Sequence, residues 1–268
     1  MKLKLRSFYR LLVFMTAFMM ALTWCLAASA APVPKEKEKE KEKEKEKEHE
    51  GKNVDSGAFG VFQNGHRVGT ETFSIYQTSY GSVINSEFKT ENAPTQDVQS
   101  SEMQLTATGD VRRYEWKELS PEKAQSVVLP NSDFLTQKWS TGPQEKEHEQ
   151  PYLLPASTTI LDDYFFVHRE VLAWKFFGQA CKQDKGQVPQ CPLKQRVQFG
   201  TLNPRQHSSA PLSAEFLGRE KLTLKNGQQE LIKLELKNDA GTWQLWLDDQ
   251  FKVMRMSIVG ENTVVDRD

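Results

Sequence analysis

One stretch of the sequence, from Thr159 to Gly178, has the pattern of a helix in a chain that otherwise reads as strands and turns. At 100° per residue, its apolar side chains cover roughly 200° of the helix circumference. Beyond two aspartates at its start, its charged residues are Arg169, Glu170 and Lys175, and these do not share one face. Because a surface helix would show a polar face, we expect this helix to be enclosed on most sides.

The predicted helix spans residues 160–177. Thr159 and Asp162 have the spacing of a capping box, and Gly178 is a natural stop because glycine readily adopts the left-handed conformation that ends many helices. Two interpretations of this helix remain open. It is either a core helix packed on a sheet or a helix that lines an apolar ligand cavity. In the second case the cavity residues we expect are Phe165, Val171, Trp174 and Phe176.

Most of the remaining sequence alternates between apolar and polar residues with a period of two. The alternation begins at Gly57, and the hairpin signals Asn64-Gly65 and Asn226-Gly227 each separate two alternating runs. Strands with one apolar and one polar face build antiparallel sheets that have one side in water. The sequence therefore predicts a mainly β domain of antiparallel meanders over residues 57–268.

Two local departures from this pattern are informative. The residues from Ser140 to Pro155 include three prolines and a long polar run, which predict a solvated loop. Near the C-terminus the apolar positions shift by one residue at Val253-Met254. Such a shift predicts a β-bulge, because a bulge places one extra residue in one of two paired strands.

The N-terminus has the organisation of a secretory signal peptide over residues 1–30. A basic segment precedes an apolar run, and small residues follow with a cleavage site between Ala30 and Ala31. Two alternatives remain open: a lipoprotein-type signal at Cys25, and an uncleaved apolar run that anchors the protein in the inner membrane. In each case the rest of the chain is exported, to the periplasm or beyond, and an uncleaved signal is the one expected membrane contact.

A charged linker is predicted between this signal and the domain, over residues 31–56. Its centre, Lys35 to Glu48, is seven Lys-Glu repeats with no apolar residue to bury, which indicates a disordered spacer. The whole chain has a formal net charge of −1. Neither this charge nor any motif favours binding to nucleic acid.

Two cysteines follow the helix, Cys181 and Cys191, with a polar loop between them. In an exported protein this arrangement predicts a structural disulfide. A metal site is disfavoured because no nearby histidine or further cysteine completes a ligand set. A redox-active pair would more often have two residues between the cysteines.

The sequence shows no motif that carries catalysis or cofactor binding. His168 is the one histidine on the predicted helix, and alone it is more typical of a core histidine than of a base or a ligand. The paired carboxylates Asp162-Asp163 and Asp248-Asp249 are explained by a helix start and a turn. No nucleophile elbow, phosphate loop or dinucleotide fingerprint is present. We therefore predict no enzyme activity, no cofactor and no metal.

Three segments resemble uncharacterised exported bacterial domains that are similar in architecture to the lipoprotein-localisation factors LolA and LolB. They are GAFGVFQNGHRVGTETFSIY from Gly57, LDDYFFVHREVLAW from Leu161, and WQLWLDDQFKVMRMSIVGENTVVDRD from Trp243. The resemblance implies a single curved antiparallel sheet, an open half-barrel, with the helix packed on its concave face. LolA and LolB bind acyl chains inside the half-barrel. No functional residue of theirs aligns with a position of this sequence.

Three functions are compatible with these patterns. The first is a non-enzymatic envelope protein that binds an apolar or lipid-like ligand between sheet and helix. The second is a structural or protein-interaction module of the cell envelope, with a filled core and an envelope protein as its partner. The third is an enzyme whose site is built from residues distant in sequence. A cavity lined by Phe165, Val171 and Trp174 would favour the first function.

Overall fold

The computed structural model describes residues 51–182, 191–225 and 227–268. The predicted signal peptide with its cleavage site at Ala30-Ala31, and the Lys-Glu repeat of the linker, lie outside the described residues. Within the described part of the chain, no helix has the length and apolar character needed to cross a membrane.

In the described residues fifteen strands form one sheet. The strands are β1 (Lys52–Gln63), β2 (His66–Thr78), β3 (Gly81–Thr90), β4 (Val98–Thr106), β5 (Val111–Ser120), β6 (Gln125–Asn131), β7 (Phe134–Ser140), β8 (His148–Tyr152), β9 (Thr159–Ile160), β10 (Arg196–Asn203), β11 (Ser208–Leu224), β12 (Gly227–Asn238), β13 (Gly241–Leu247), β14 (Val253–Ile258) and β15 (Thr263–Arg267). Their order across the sheet runs from β8 back to β1 and then from β15 back to β9. Neighbours are antiparallel except for β9 and β10, which are parallel.

Two meanders are therefore joined through the ends of the domain. Strand β1 pairs with β15, with Phe59 opposite Arg267 and Val61 opposite Val265. The sheet is curved and open, and the helix α1 (Val167–Ala180) packs on its concave face. The inward side chains of the strands and of the helix form one buried apolar core. The predicted fold, a mainly β protein with a single curved antiparallel sheet and one main helix, is confirmed.

The first strand begins at Lys52, not at Gly57 where the alternation starts. Residues 52–56 show no apolar alternation, so they resemble the linker that precedes them. They belong to the sheet because Asp55, which is 1% exposed, is buried against Arg267. An ion pair with the far end of the chain leaves no local signal in the sequence.

Two further strands lie where the sequence showed no strand pattern. Strand β8 falls within the predicted loop 140–155, and β10 lies in the segment after the cysteines. Strand β8 is an edge strand, where Pro151 is tolerated because an edge residue need not donate a backbone hydrogen bond. The prediction of an uninterrupted loop over 140–155 is therefore wrong.

The turn and the bulge that the sequence predicts are both present. Asn64 and Gly65 both have positive φ angles, 50° and 79°, as a two-residue hairpin of this type requires. In the pairing of β13 with β14, Trp246 lies opposite Arg255 and Leu247 lies opposite Val253. Met254 is thus the extra residue, which confirms the predicted bulge.

The helix begins later and ends later than the predicted span 160–177, because it runs from Val167 to Ala180. The residues before it are held in the sheet: the Leu161 amide donates to the Leu202 carbonyl at 3.0 Å, extending the pairing of β9 with β10. The predicted capping box at Thr159 and Asp162 is therefore wrong. The predicted stop at Gly178 is also wrong, since that residue lies inside the last helical turn.

A carboxylate from the sheet takes the place of a local cap. Phe166 occupies the N-cap position without a side-chain capping bond of its own. Glu71 of β2 accepts hydrogen bonds from the Phe166 amide at 2.7 Å and from the Val167 amide at 3.2 Å. Its other oxygen accepts from the Ser86 hydroxyl at 2.6 Å. Since the first amides of a helix lack partners within the helix, this contact fixes the point at which the helix can begin.

Candidate functional site

A cavity of about 350 Å³ lies between one side of α1 and the hairpin formed by β4 and β5. Strand β9 and the residues before it close a third wall. Its apolar lining comes from side chains of all three elements: Met103, Leu105, Val111, Ile160, Val171, Leu172 and Trp174. The volume is near the lower end of the range of about 300–1,000 Å³ for small-molecule sites. The cavity is therefore large enough for a small ligand.

Helix geometry explains which predicted cavity residues reach this space. Val171 and Trp174 line it, whereas Phe165 and Phe176 are fully buried in the core. Phe165 precedes the helix. Phe176 is five residues beyond Val171 and so points about 140° away from it. The cavity face of α1 includes Val171, Trp174, Lys175 and Gly178, which share one side of the helix.

The position of Trp174 is fixed by a hydrogen bond outside the cavity. Its indole N–H donates to the Phe251 carbonyl at 2.7 Å. Satisfying the polar atom in this way leaves the apolar ring as a wall of the cavity. The ring is thus held in place before any ligand arrives.

Lys175 is the cationic group of the cavity. Its Nζ donates to the Ser157 carbonyl at 2.7 Å and to the Gly109 carbonyl at 3.3 Å. Burial lowers the pKa of Lys175, and the nearby charge of Asp110 opposes that shift. Among the described residues no carboxylate forms a salt bridge with it. Lys175 is absent from the cavity residues predicted from the sequence, although its place in an apolar helix was a usable signal.

Two threonine hydroxyls in the cavity wall also lack partners. Thr158 and Thr159 are 2% and 8% exposed and line the cavity. In the described part of the chain their Oγ1 atoms have no hydrogen-bond partner. Buried polar groups normally have a hydrogen-bond partner, so each of these hydroxyls has an unused capacity to form a hydrogen bond.

The opposite side of α1 contains buried charges that are paired. Glu170 accepts hydrogen bonds from the Val253 amide at 3.0 Å and from Arg267 at 2.9 Å. Arg267 also bonds Asp55 at 2.6 Å, and Lys252 reaches the same carboxylate at 2.9 Å. Burial, together with the neighbouring Asp55, raises the pKa of Glu170 well above its usual value. Burial would also raise the pKa of Asp55, but hydrogen bonds from Arg267, Glu170 and Lys252 hold it below the usual value.

His168 lies in a dry, aromatic environment near the start of the helix. Its ring is 5.4 Å from Tyr114 and 5.7 Å from Phe165, and it is fully buried. Burial lowers its pKa to about 3, with the charges of Arg169 and Arg205 acting in the same direction. The imidazole is therefore neutral at physiological pH and out of contact with solvent.

Asp162, which lies close to His168, connects the sheet with a loop. Asp162 accepts hydrogen bonds from the Tyr114 hydroxyl at 2.7 Å and from Arg205 at 2.5 Å. Arg205 in turn lies 4.2 Å from the ring of Trp116. Within the described residues, no group of three or more His, Cys, Asp or Glu residues is arranged to hold a metal ion.

A disulfide joins Cys181, just after α1, to Cys191. Their Cα atoms are 4.4 Å apart. The bond ties the end of the helix to the segment that leads into β10. A disulfide is typical of proteins in an oxidising compartment.

Comparisons with known proteins give structural likenesses alone. No protein-family model and no curated protein matches the sequence. One similar solved structure is a β-barrel-like protein of the domain of unknown function DUF1849 from Brucella abortus. It is 9% identical, the match covers 79% of this chain and 93% of that chain, and the TM-score is 0.48. Another is a DUF1089 family protein from Pseudomonas aeruginosa, 9% identical, with 75% and 93% covered and a TM-score of 0.43. Similarity at this level bears on neither the ligand nor the activity of this chain.

Proposed function

We propose that the protein binds a small apolar, lipid-like molecule in the cavity between α1 and the β4–β5 hairpin. The observation that carries the proposal is the cavity itself, about 350 Å³ of space with a mainly apolar lining. Binding would remove apolar surface of the ligand from water, the dominant favourable term for such a site. The proposed role is binding and not catalysis.

The construction of the walls supports this proposal. Trp174 is fixed by its bond to the Phe251 carbonyl, and Leu172 is held in the core. A ligand that enters a formed site loses less free energy to the ordering of side chains than one that must order them. The ring of Trp174 therefore offers an apolar surface that is already ordered.

We further propose that this binding takes place in the cell envelope, after export. The support is the signal-peptide pattern of residues 1–30 together with the disulfide between Cys181 and Cys191. A carrier or sensor of lipid-like molecules would fit that compartment. Another envelope protein could then be its partner.

The first test uses N-phenyl-1-naphthylamine, an uncharged apolar dye that fluoresces more strongly in apolar surroundings. Gly178 lies at the exposed end of the cavity, and a Cβ built there meets no atom within 4 Å. Gly178→Leu should therefore obstruct the cavity without disturbing the core. Gly178→Ala is the matched control, because it adds one methyl group at the same place.

The wild type and Gly178→Ala should bind the dye, and Gly178→Leu should bind it at least about tenfold more weakly. Equal affinity in all three proteins would place the dye elsewhere and contradict the assignment of the cavity. No binding of the dye or of decanol by the wild type would reject the proposal. That result would favour a structural or protein-interaction module of the envelope.

A further inference from the structure

Three polar groups of the cavity lie in one part of its wall. Lys175 Nζ bonds to the carbonyl oxygen of Ser157, and the next two residues are Thr158 and Thr159. All three residues line the cavity. They therefore form one polar part of its wall, the polar corner, which we define as Lys175, Thr158 and Thr159.

The polar corner contains hydrogen-bond donors that have no acceptor among the described residues. An ammonium group has three N–H donors, and Lys175 uses two of them on the Ser157 and Gly109 carbonyls. Each threonine hydroxyl can donate one further bond, and neither has a partner within the described residues. The ammonium thus has one N–H donor and one positive charge available to an acceptor in the cavity, whereas the two hydroxyl oxygens are themselves buried in the wall.

Other polar groups near the mouth bond to one another. The Thr106 and Thr108 hydroxyls are 2.8 Å apart, and Thr108 donates to Asp110 at 2.9 Å. Gln77 donates to the Gly81 carbonyl at 3.2 Å. Asp110 is the acidic group that influences Lys175, and its Thr108 bond occupies one of its carboxylate oxygens. The hydrogen-bond donors of the cavity that have no acceptor in the described part of the chain are therefore concentrated at the polar corner.

We propose that the cavity binds a single-chain amphiphile with a carboxylate head, such as a medium-chain fatty acid. The carboxylate accepts from Lys175, and the chain lies against Leu105, Val171 and Trp174. This inference rests on the proposed function and names its ligand class. A carboxylate is favoured over a neutral head because charge-assisted hydrogen bonds are about twice as strong as neutral ones. An anion beside Lys175 would also offset the loss of hydration that lowers its pKa.

The test compares ligands that share one chain and differ in the head: decanoate, decanol and decylamine. Each is titrated against the wild type with bound N-phenyl-1-naphthylamine, at neutral pH and below the concentration at which the ligand forms micelles. Decanoate should displace the dye with an affinity about tenfold higher than decanol, and decylamine should be the weakest.

Variants of Lys175 test whether the polar corner recognises the head group of the ligand. Lys175→Met should remove the preference for decanoate over decanol, because it removes the charge that distinguishes the two head groups. Lys175→Arg keeps the charge and should retain the preference. Lys89→Met is the control for net charge, because Lys89 is an exposed lysine on β3 that pairs with Glu87. Thermal unfolding of each variant checks that the fold is kept.

The outcomes separate the two proposals. Equal binding of decanoate and decanol by the wild type would overturn the carboxylate proposal and leave apolar binding in place. Binding of neither ligand, with no dye uptake, would overturn both proposals. A preference for decanoate that survives in Lys175→Met would place the head group elsewhere and also overturn the assignment.

Discussion

The two sides of helix α1 place their charged groups in different surroundings. On the side that faces β14 and β15, Glu170 is fully buried, and one of its carboxylate oxygens accepts bonds from Arg267 and the Val253 amide. On the cavity side, the hydrogen bonds of the Lys175 ammonium within the described residues go to the carbonyl oxygens of Ser157 and Gly109. The first side connects the helix to the sheet through a buried ionic network, whereas the second borders the cavity.

This difference has a physical reason. Removing one partner of a buried charge pair is strongly destabilising, so the paired side allows few alternative positions for the helix. The cavity side contributes less packing to stability, since Val171 and Trp174 border open space. The same helix can therefore be held firmly on one side and border a cavity on the other.

Removal of Arg267 should have the largest effect. Arg267→Met removes the cation that bonds both Asp55 and Glu170, so we expect a loss of about 3–5 kcal/mol in the free energy of unfolding. Arg219→Met, at the exposed pair with Asp249, should lose no more than about 1 kcal/mol. Urea unfolding of both variants measures this, and similar losses would contradict the contrast between the two sides.

Removal of the disulfide should come next. The double change Cys181→Ala with Cys191→Ala should lower the free energy of unfolding by about 2–3 kcal/mol, because a short closed loop restricts the unfolded chain. The disulfide holds the end of α1 that the buried charges do not reach. Urea unfolding measures the loss, with the reduced wild type as a control. An unchanged free energy of unfolding would show that the disulfide does not stabilise this end of the helix.

The third prediction concerns pH and the cap of the helix. Burial raises the pKa of Glu71 to about 8, above the ordinary value of 4.5, although the bonds from Ser86 and the two helix amides act in the opposite direction. The folded state therefore holds a proton that the unfolded state has released, and stability should fall as pH rises from 4.5 to 8. The slope contributed by one group is at most about 1.4 kcal/mol per pH unit.

His168 affects the choice of pH window. Its lowered pKa makes stability rise with pH below its ordinary value of 6.5. Unfolding should therefore be compared between pH 6.5 and 8, where the effect of Glu71 dominates over that of His168. Glu71→Gln should show a shallower fall than the wild type. Identical slopes would mean that Glu71 does not gain its proton on folding.

The smallest effect should come from the cavity side. Gly178→Ala replaces a glycine in the last turn of α1, where a Cβ meets no atom within 4 Å. Alanine restricts the unfolded chain more, so we expect a gain of about 0.5–1 kcal/mol in the free energy of unfolding. Thermal unfolding without ligand measures the gain. A loss of stability would show that this side of the helix is as tightly packed as the other.

Local signals identified the repeated elements of this fold. Alternating runs and the Asn64-Gly65 turn predicted the strands of both meanders, and the shift of apolar residues predicted the bulge at Met254. Residues 52–56 were missed because Asp55 enters the sheet through Arg267, which is 212 residues away. Val171 and Trp174, two of the predicted cavity residues, line the cavity, whereas Phe165 and Phe176 lie in the core.

The sequence by itself determined that the chain forms antiparallel strands with one helix, because the periods of two and 3.6 residues are properties of short segments. Only the tertiary structure decided where the helix begins, since its amides are capped by Glu71, 95 residues before Phe166. It also decided which apolar side chains fill the core and which border a cavity. Both outcomes depend on contacts between segments that are distant in the sequence, and a local pattern contains no information about such contacts.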